Sequence, residues 1–486
     1  MPLKSLYTFL KKLLDKYMKI SFTLFIIFTT FSSAVEKPNI LYINADDLGI
    51  MDVSYNNPKF NTPNIDQLAK DGMVFTNAYA PSANCAPSRA CVHSGQWSAR
   101  HGVYTVSSSE RGNPKTRKII PTKNTPLLPE GTVTMADALK SGGYKTIHLG
   151  KYHIGKDPLT MGYDVNIGGD TSGGPSGGGY FAPWNKGAMA KWSKQYPKGT
   201  HRMDVFADRA IKFIKANKDD AMFIHFSPYS VHTGLEKVPE FYDNYKGKDV
   251  NATYASMVEK FDQGVGKVLK ALDDMGLRNK TLVVFSSDNG GIRAISKQDP
   301  YRAGKGSYYE GGIREPMVIR WPGKVKAGSV CKTPVCSIDF YPTFLKVAEM
   351  KAPKTVVLDG VSILPLITQT GELKKRALFW HFPIYLQAYS QTEDNGRDPL
   401  FRTRPGSAMR YGKWKLHEYF EDGGIELYDL ESDLGERKNL STSMPEKVLE
   451  LKKMLNQWRT EIKAPVPDTK NPKYDPSFKP RKRKSK

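Results

Sequence analysis

The chain has 486 residues, 39% hydrophobic and 11% aromatic, which excludes a disordered or fibrous polypeptide and allows a large core. Lysine and arginine outnumber aspartate and glutamate 72 to 49, a formal net charge of +23 that points to an acidic partner or substrate rather than to a fold. Four cysteines exclude a disulfide scaffold, and without zinc-finger spacing, an RNP-like run or a basic heptad segment, no nucleic-acid partner is expected.

The N-terminus reads as a targeting segment. Lys11, Lys12, Lys16 and Lys19 precede an apolar run over 20–31, and Ser32-Ser33-Ala34 supplies small residues at a cleavage point. This order predicts a signal peptide over 1–34, cut after Ala34, and hence a periplasmic or secreted protein. The apolar run is shorter than the ~20 residues that cross a bilayer, and no other stretch reads as an integral membrane span.

Beyond it, short apolar runs alternate with helix-like segments. Strands are predicted over 39–44, 144–150, 221–226 and 281–286, and helices over 64–70, 134–141, 203–216 and 255–275. Such alternation predicts an α/β fold, a large and mostly parallel sheet sandwiched by helices. The Gly-rich stretch 168–179 reads as a mobile surface loop. From about residue 373 the pattern changes to alternating strands at 377–381, 408–419 and 425–430, followed by a helix over 445–462. The expected organisation is therefore a catalytic unit over 35–372, a smaller C-terminal α+β unit over 373–470 on a short antiparallel sheet, and a basic, solvated tail over 471–486.

The polar clusters all follow predicted strands, where ligands bind in open α/β sheets. Asp46-Asp47 closes the first strand and Asp288-Asn289 closes the strand at 281–286. Adjacent carboxylates repel unless a cation lies between them, and an all-oxygen set suits calcium or magnesium. Lys151-Tyr152-His153 places a cation and a titratable ring two residues apart. His232 follows another strand, and Lys305 stands among glycines that permit tight turns around an anion. Cys331 and Cys336 are the pair expected to bridge in an oxidising compartment, though sequence alone leaves this open.

Between the first two strands stands Ser82-Ala83-Asn84-Cys85-Ala86-Pro87-Ser88-Arg89-Ala90-Cys91-Val92-His93-Ser94-Gly95. Its core, Cys85-Ala86-Pro87-Ser88-Arg89, resembles the C-x-P-S-R signature of the formylglycine-dependent type I sulfatases of the alkaline-phosphatase superfamily. In order along the chain, Asp46-Asp47, Cys85 to Arg89, Lys151/His153, His232, Asp288-Asn289 and Lys305 match that pattern. The likeness continues at Ala99-Arg100-His101-Gly102-Val103, at Leu358-Asp359-Gly360-Val361-Ser362 and at Glu426-Leu427-Tyr428-Asp429-Leu430. It leaves out the Gly-rich stretch, residues 386–405 and the tail. His93, where the family usually has an aliphatic residue, and Cys91 depart from the pattern.

The resemblance implies an alkaline-phosphatase-like fold and a sulfuric ester hydrolase. Cys85 would be oxidised to formylglycine (3-oxoalanine) by a formylglycine-generating or an anaerobic sulfatase-maturating enzyme. The hydrated aldehyde would attack sulfur. Asp46, Asp47, Asp288 and Asn289, with the modified Cys85, would hold a Ca2+ or Mg2+ ion. Arg89, Lys151 and Lys305 would stabilise charge, His232 would protonate the leaving oxygen, and His153 would deprotonate the second hydroxyl. The charge and the leader favour a sulfated glycan as substrate, with Arg100, His101, Arg302 and His381 as expected sugar contacts. Two rivals are a phosphate or phosphonate ester hydrolase with the same aldehyde and a non-catalytic binder of sulfated glycan.

Overall fold

The computed structural model describes residues 3–27 and 37–479, apart from 176, 391, 393 and 394. Leu3–Ile27 is a helix within a separate unit, Met1–Lys37, and Pro38–Lys486 form one compact unit. The expected cleavage point after Ala34 and the basic run 480–486 lie outside the described residues. No described helix is long and apolar enough to cross a membrane.

The strands of the large unit run β1 Asn39–Ala45, β2 Met73–Phe75, β3 Ala78–Tyr79, β4 Lys145–Gly150, β5 Val165–Ile167, β6 Met222–Ser227, β7 Thr281–Ser287, β8 Val318–Arg320 and β9 Ser329–Cys331. All but β3 form one sheet in the order β5-β4-β6-β1-β7-β8-β2-β9. The pairs β4/β5, β4/β6, β1/β6, β1/β7 and β2/β9 are parallel, and β8 is antiparallel to both of its neighbours. The sheet is thus mixed and mostly parallel, as the alternation predicts.

Central strands covered on both faces read as continuous apolar runs, and their side chains alternate between two cores. Leu41, Ile43, Ile224, Phe226, Val283 and Phe285 face the helices Pro63–Asp71, Arg202–Ala216 and Ala252–Asp274. Ile40, Tyr42, Phe223, Leu282 and Val284 face Cys85–Ser94, Met135–Ser141 and Phe340–Val347. Each fully buried aliphatic or phenyl side chain of this kind contributes about 1.5–3 kcal/mol. The helix bearing Cys85 is held between the sheet and the helix Phe340–Val347, so its first turn is fixed by packing.

Two-stranded pairing joins β3 to β10 Val335–Cys336. Further on come β11 Ala377–Phe382, β12 Leu386–Gln387, β13 Phe401–Thr403, β14 Gly406–Tyr411, β15 Trp414–Tyr419 and β16 Ile425–Asp429. The second sheet, β11-β14-β15-β16, is antiparallel throughout, and the stretch expected as strand over 408–419 is the β14/β15 hairpin. Its inner face and the helix Pro445–Glu461 pack on Tyr79, Ala83, Cys91, Trp97 and Tyr308, so it shares a core with the signature helix. Residues 471–478 of the expected tail return to the body. Asn471 donates to the carbonyls of Pro114 and Arg117 at 2.9 and 2.7 Å.

All four cysteines are free and buried, so the pairing of Cys331 with Cys336 that the sequence leaves open is not formed here; the two stand in β9 and β10, strands of different sheets. The Gly-rich stretch is also not an open surface loop, since most of its described residues are buried or half-buried.

Candidate active site

The predicted polar clusters converge at the C-terminal edge of the large sheet. Asp46 and Asp47 leave β1 and meet Asp288 beyond β7, where the Asp47 amide donates to Asp288 Oδ1 at 3.1 Å. Asp47 takes φ 62°, a left-handed conformation that aspartate tolerates better than most residues. The Asp46 amide donates to the Ser230 carbonyl at 2.9 Å, and the Val231 amide to the Asp46 carbonyl at 2.7 Å, which anchors the turn carrying His232. Lys151 follows β4, and its amide donates to Ser227 O at 2.7 Å. Gly306 donates to the Ala83 carbonyl at 2.7 Å, so the loop bearing Lys305 is tied to the turn just before Cys85.

Three carboxylates and three cations interlock here. Lys151 Nζ lies 2.7 and 2.8 Å from the two oxygens of Asp46, and Lys305 Nζ lies 2.6 Å from Asp47 Oδ2. Arg89 Nε donates to Asp288 Oδ2 at 2.8 Å, while its NH1 donates to Lys151 O at 2.9 Å and Ser227 Oγ at 2.5 Å. None of these six charged residues is more than 5% exposed. Charges this deep are tolerated only when paired.

The pairing is uneven. Burial, with the adjacent Asp47, pushes Asp46 up to about 6 despite Lys151. Burial opposes ionisation of Asp47 too, but Lys305, His232 and Lys151 outweigh it and hold its carboxyl below the usual range. Burial also raises Asp288 against the pull of Arg89. For the Cys85 thiol, burial is outweighed by Lys151 and Lys305, which lower its pKa. An anion is therefore favoured at the position of the Cys85 side chain.

A metal seat can be tested against these atoms. Donor atoms of Asp46, Asp47 and His232 lie within 4.8 Å of one another. Asn289 Nδ2 donates to Asp47 Oδ1 and Gly290 O, both at 2.9 Å, which leaves Asn289 Oδ1 buried with no partner among the described residues. An orphaned buried oxygen beside carboxylates that burial has pushed up is the environment a hard cation satisfies. Asp46, Asp47, Asp288 and Asn289 fit such an ion.

Two histidines complete the cluster. His232 Nδ1 lies 2.9 Å from the Thr233 carbonyl, which can only accept, so Nδ1 carries the proton and Nε2 is the working nitrogen, 3.8 Å from Asp47 Oδ2. Burial and Lys151 push His232 down to about 4, partly offset by Asp47. His153 takes φ 67°, donates its amide to the Asp170 carbonyl at 2.9 Å, and has Nδ1 buried without a partner among the described residues. Burial, then Lys151 and Arg89, push it down to about 3. The Gly-rich stretch covers both rings.

The expected sugar contacts are engaged elsewhere. His101 is buried between Cys91 Sγ, 3.5 Å from Nε2, and the Val103 amide on Nδ1. His381 is buried with Nδ1 on Ser407 Oγ and Nε2 on the Pro465 carbonyl. Arg100 forms an ion pair with Asp359 at 2.7 Å. Arg302 stacks on Tyr309 and donates to the carbonyls of Asn395, Gly396 and Glu436. All four have polar groups engaged within the fold.

The structure adds Ser227, Gly173 and Gly174. Ser227 ends a strand as the other site residues do, a signal that could have found it. His93, the departure from the family pattern, packs in a buried aromatic layer, its ring centroid 4.9 Å from that of His225.

A sequence model of the family described as Sulfatase matches residues 38–350, and one described as N-sulphoglucosamine sulphohydrolase, C-terminal, matches 304–462. A sulfatase of Formosa agariphila is 32% identical, covering 90% of this chain and 91% of that protein. Human N-acetylgalactosamine-6-sulfatase is 28% identical over 72% of this chain and 69% of its own length. Among solved structures, Ps i-CgsB in complex with k-i-k-neocarrahexaose is similar at a TM-score of 0.70 and 28% identity, covering 87% of this chain and 93% of that one.

Proposed function

From the premise that this chain belongs to the sulfatase family, and so hydrolyses sulfate esters, we propose that it removes sulfate from a sulfated carbohydrate with Cys85 as the reaction centre. The observation that carries this reading is the buried Cys85 side chain in the combined field of Lys151 and Lys305, at the edge of the all-oxygen cluster. A relative named N-acetylgalactosamine-6-sulfatase and a similar structure in complex with k-i-k-neocarrahexaose support the carbohydrate class.

Formylglycine at Cys85, once hydrated, would supply the hydroxyl nucleophile. Calcium or magnesium on Asp46, Asp47, Asp288 and Asn289 would polarise a sulfate oxygen. Arg89, fixed by Asp288 and Ser227, keeps a positive charge beneath the reaction centre without rearrangement. Lys151 and Lys305 are preorganised donors for the charge on the transferring sulfuryl group. Asp288 would help take a proton from the attacking hydroxyl. His232 delivers a proton from Nε2 to the leaving sugar oxygen, and an incoming anion, added to Asp47, raises the proton affinity that burial has lowered. His153, neutral and with Nδ1 unpartnered among the described residues, is the acceptor for the proton whose removal releases sulfate.

Activation by a formylglycine-generating or anaerobic sulfatase-maturating enzyme, and export after cleavage at Ala34, belong to the same reading. The test is free sulfate released from a panel of defined sulfated oligosaccharides, beside mass spectrometry of the peptide containing Cys85. Release from aryl phosphate faster than from any sulfate ester would overturn it, as would an unmodified thiol in active protein.

A further inference from the structure

We propose that Arg111, Arg402 and Tyr389 form a second anion subsite, which takes a sulfate or carboxylate on the sugar next to the one that carries the scissile ester. This rests on the carbohydrate reading above and adds a substrate class to it: glycans with two neighbouring negative groups.

Arg402 lies in the 386–405 segment, where the family resemblance is silent. Its Nε donates to the Gln387 carbonyl at 3.0 Å and its NH1 to the carbonyl of Lys305, also at 3.0 Å. It therefore touches the backbone of a residue in the reaction centre. Its guanidinium lies 3.3 Å from the ring centroid of Tyr389, a residue 48% exposed. The Gln387 side chain accepts from the Gly112 amide at 2.9 Å, which brings the neighbouring Arg111 to the same hairpin, β12/β13. Arg111 is half-buried and donates to the Val106 carbonyl.

Among the described residues, neither guanidinium forms an ion pair with a carboxylate. Two cations in electrostatic reach of each other, with Cys85 also in reach of Arg111, are mutually repelling. Several deep arginines elsewhere in this unit are neutralised by a carboxylate: Arg89 by Asp288, Arg314 by Glu310 and Arg376 by Asp339. Two guanidinium groups with no carboxylate partner among the described residues, beside a site for anionic substrates, are suited to an anionic group of the substrate itself. The planar forks of arginine match the oxygen pairs of sulfate and carboxylate, and the Tyr389 ring offers an apolar face to a sugar.

The experiment compares Arg111→Ala and Arg111→Lys with the wild-type protein on four substrates. These are an aryl sulfate and three disaccharides that carry the scissile sulfate on one sugar and whose neighbouring sugar is neutral, sulfated or a uronate. Charge-assisted hydrogen bonds are worth about tenfold or more in affinity. Wild type should favour one or both doubly anionic disaccharides by about that factor, and the preferred arm tells sulfate from carboxylate. Arg111→Ala should erase the preference through KM while staying within about twofold on the aryl sulfate, and Arg111→Lys should keep part of it. Equal rates on all three disaccharides overturn the subsite and leave the carbohydrate reading standing. Equal loss on aryl sulfate and disaccharides in Arg111→Ala also overturns it. Hydrolysis of aryl sulfate alone overturns both.

Discussion

A Cβ on Gly173 would lie 2.7 Å from Cε1 of His153, and one on Gly174 would lie 3.0 Å from Nδ1 of His232. Both distances are below normal contact, so the backbone of this stretch sits on the two proton-transfer rings because glycine lets it. The loop is anchored by Asp170, whose side chain accepts from the amides of Ser172 and Ala188 at 2.7 and 2.9 Å. Gly173→Ala should displace the His153 ring rather than the fold. We expect kcat to fall by about 10²-fold, the usual effect of a misplacement near 1 Å, with Tm little changed. An unaltered kcat would show that the ring position is not critical.

Cys85 is 2% exposed and its replacement by alanine or serine should leave the fold intact. Cys85→Ala is expected to release no sulfate. Cys85→Ser is expected to stop after at most one slow turnover, with a sulfated protein visible by intact mass. Sustained turnover by the serine variant would sink the aldehyde chemistry.

Lys305 Nζ and Asp47 Oδ2 are 2.6 Å apart in a water-poor site. Removing one preorganised charge of this kind lowers kcat by about 10²–10³. Lys305→Met should show that loss, with cation affinity retained.

The oxygen donors predict the opposite pattern for Asp47→Asn. Chelator treatment should abolish sulfate release by the native enzyme, and added calcium or magnesium should restore it. The variant should require a higher cation concentration, read by titration of activity and of thermal stability. Full activity after exhaustive chelation would exclude a metal role for these residues.

A buried ion cluster joins the second sheet to the catalytic unit. Lys415 Nζ lies 2.8 Å from Glu310 and 3.0 Å from Glu436, all fully buried, and Arg314 lies 2.8 Å from Glu310. Breaking such a cluster by removing one partner costs about 3–5 kcal/mol, so Lys415→Met should lower stability by that much in urea unfolding at neutral pH. Burial works against ionised Glu310, but Lys415 and Arg314 outweigh it and hold its pKa below the ordinary 4.5. A depressed carboxyl contributes its full stabilisation above its unfolded value and loses it as pH falls from there through the lower folded value. The gap between wild type and Lys415→Met should therefore be full above about pH 5 and narrow on acidification. A gap independent of pH would refute the pairing.

The chain carries local information in plain view. The runs that became β1, β4, β6 and β7 are apolar because both of their faces are buried. The residues just after them, Asp46-Asp47, Lys151, His232 and Asp288-Asn289, are polar where a sheet edge opens to ligand. Cys85 to Arg89 is legible for the same reason: it is contiguous. What needed the assembled molecule is whatever depends on segments distant in sequence. The insertion of antiparallel β8 between β7 and β2 is a long-range pairing that no local periodicity encodes. His101 and His381 look like ligands in sequence, yet packing occupies both nitrogens of each ring. Conversely, the Gly-rich stretch and the 386–405 segment carry no readable pattern, because their roles come from contacts with His153, His232 and Lys305. Periodicity and adjacency act within a few residues; burial, counter-charges and the neighbours of each ring are set only when the chain closes on itself.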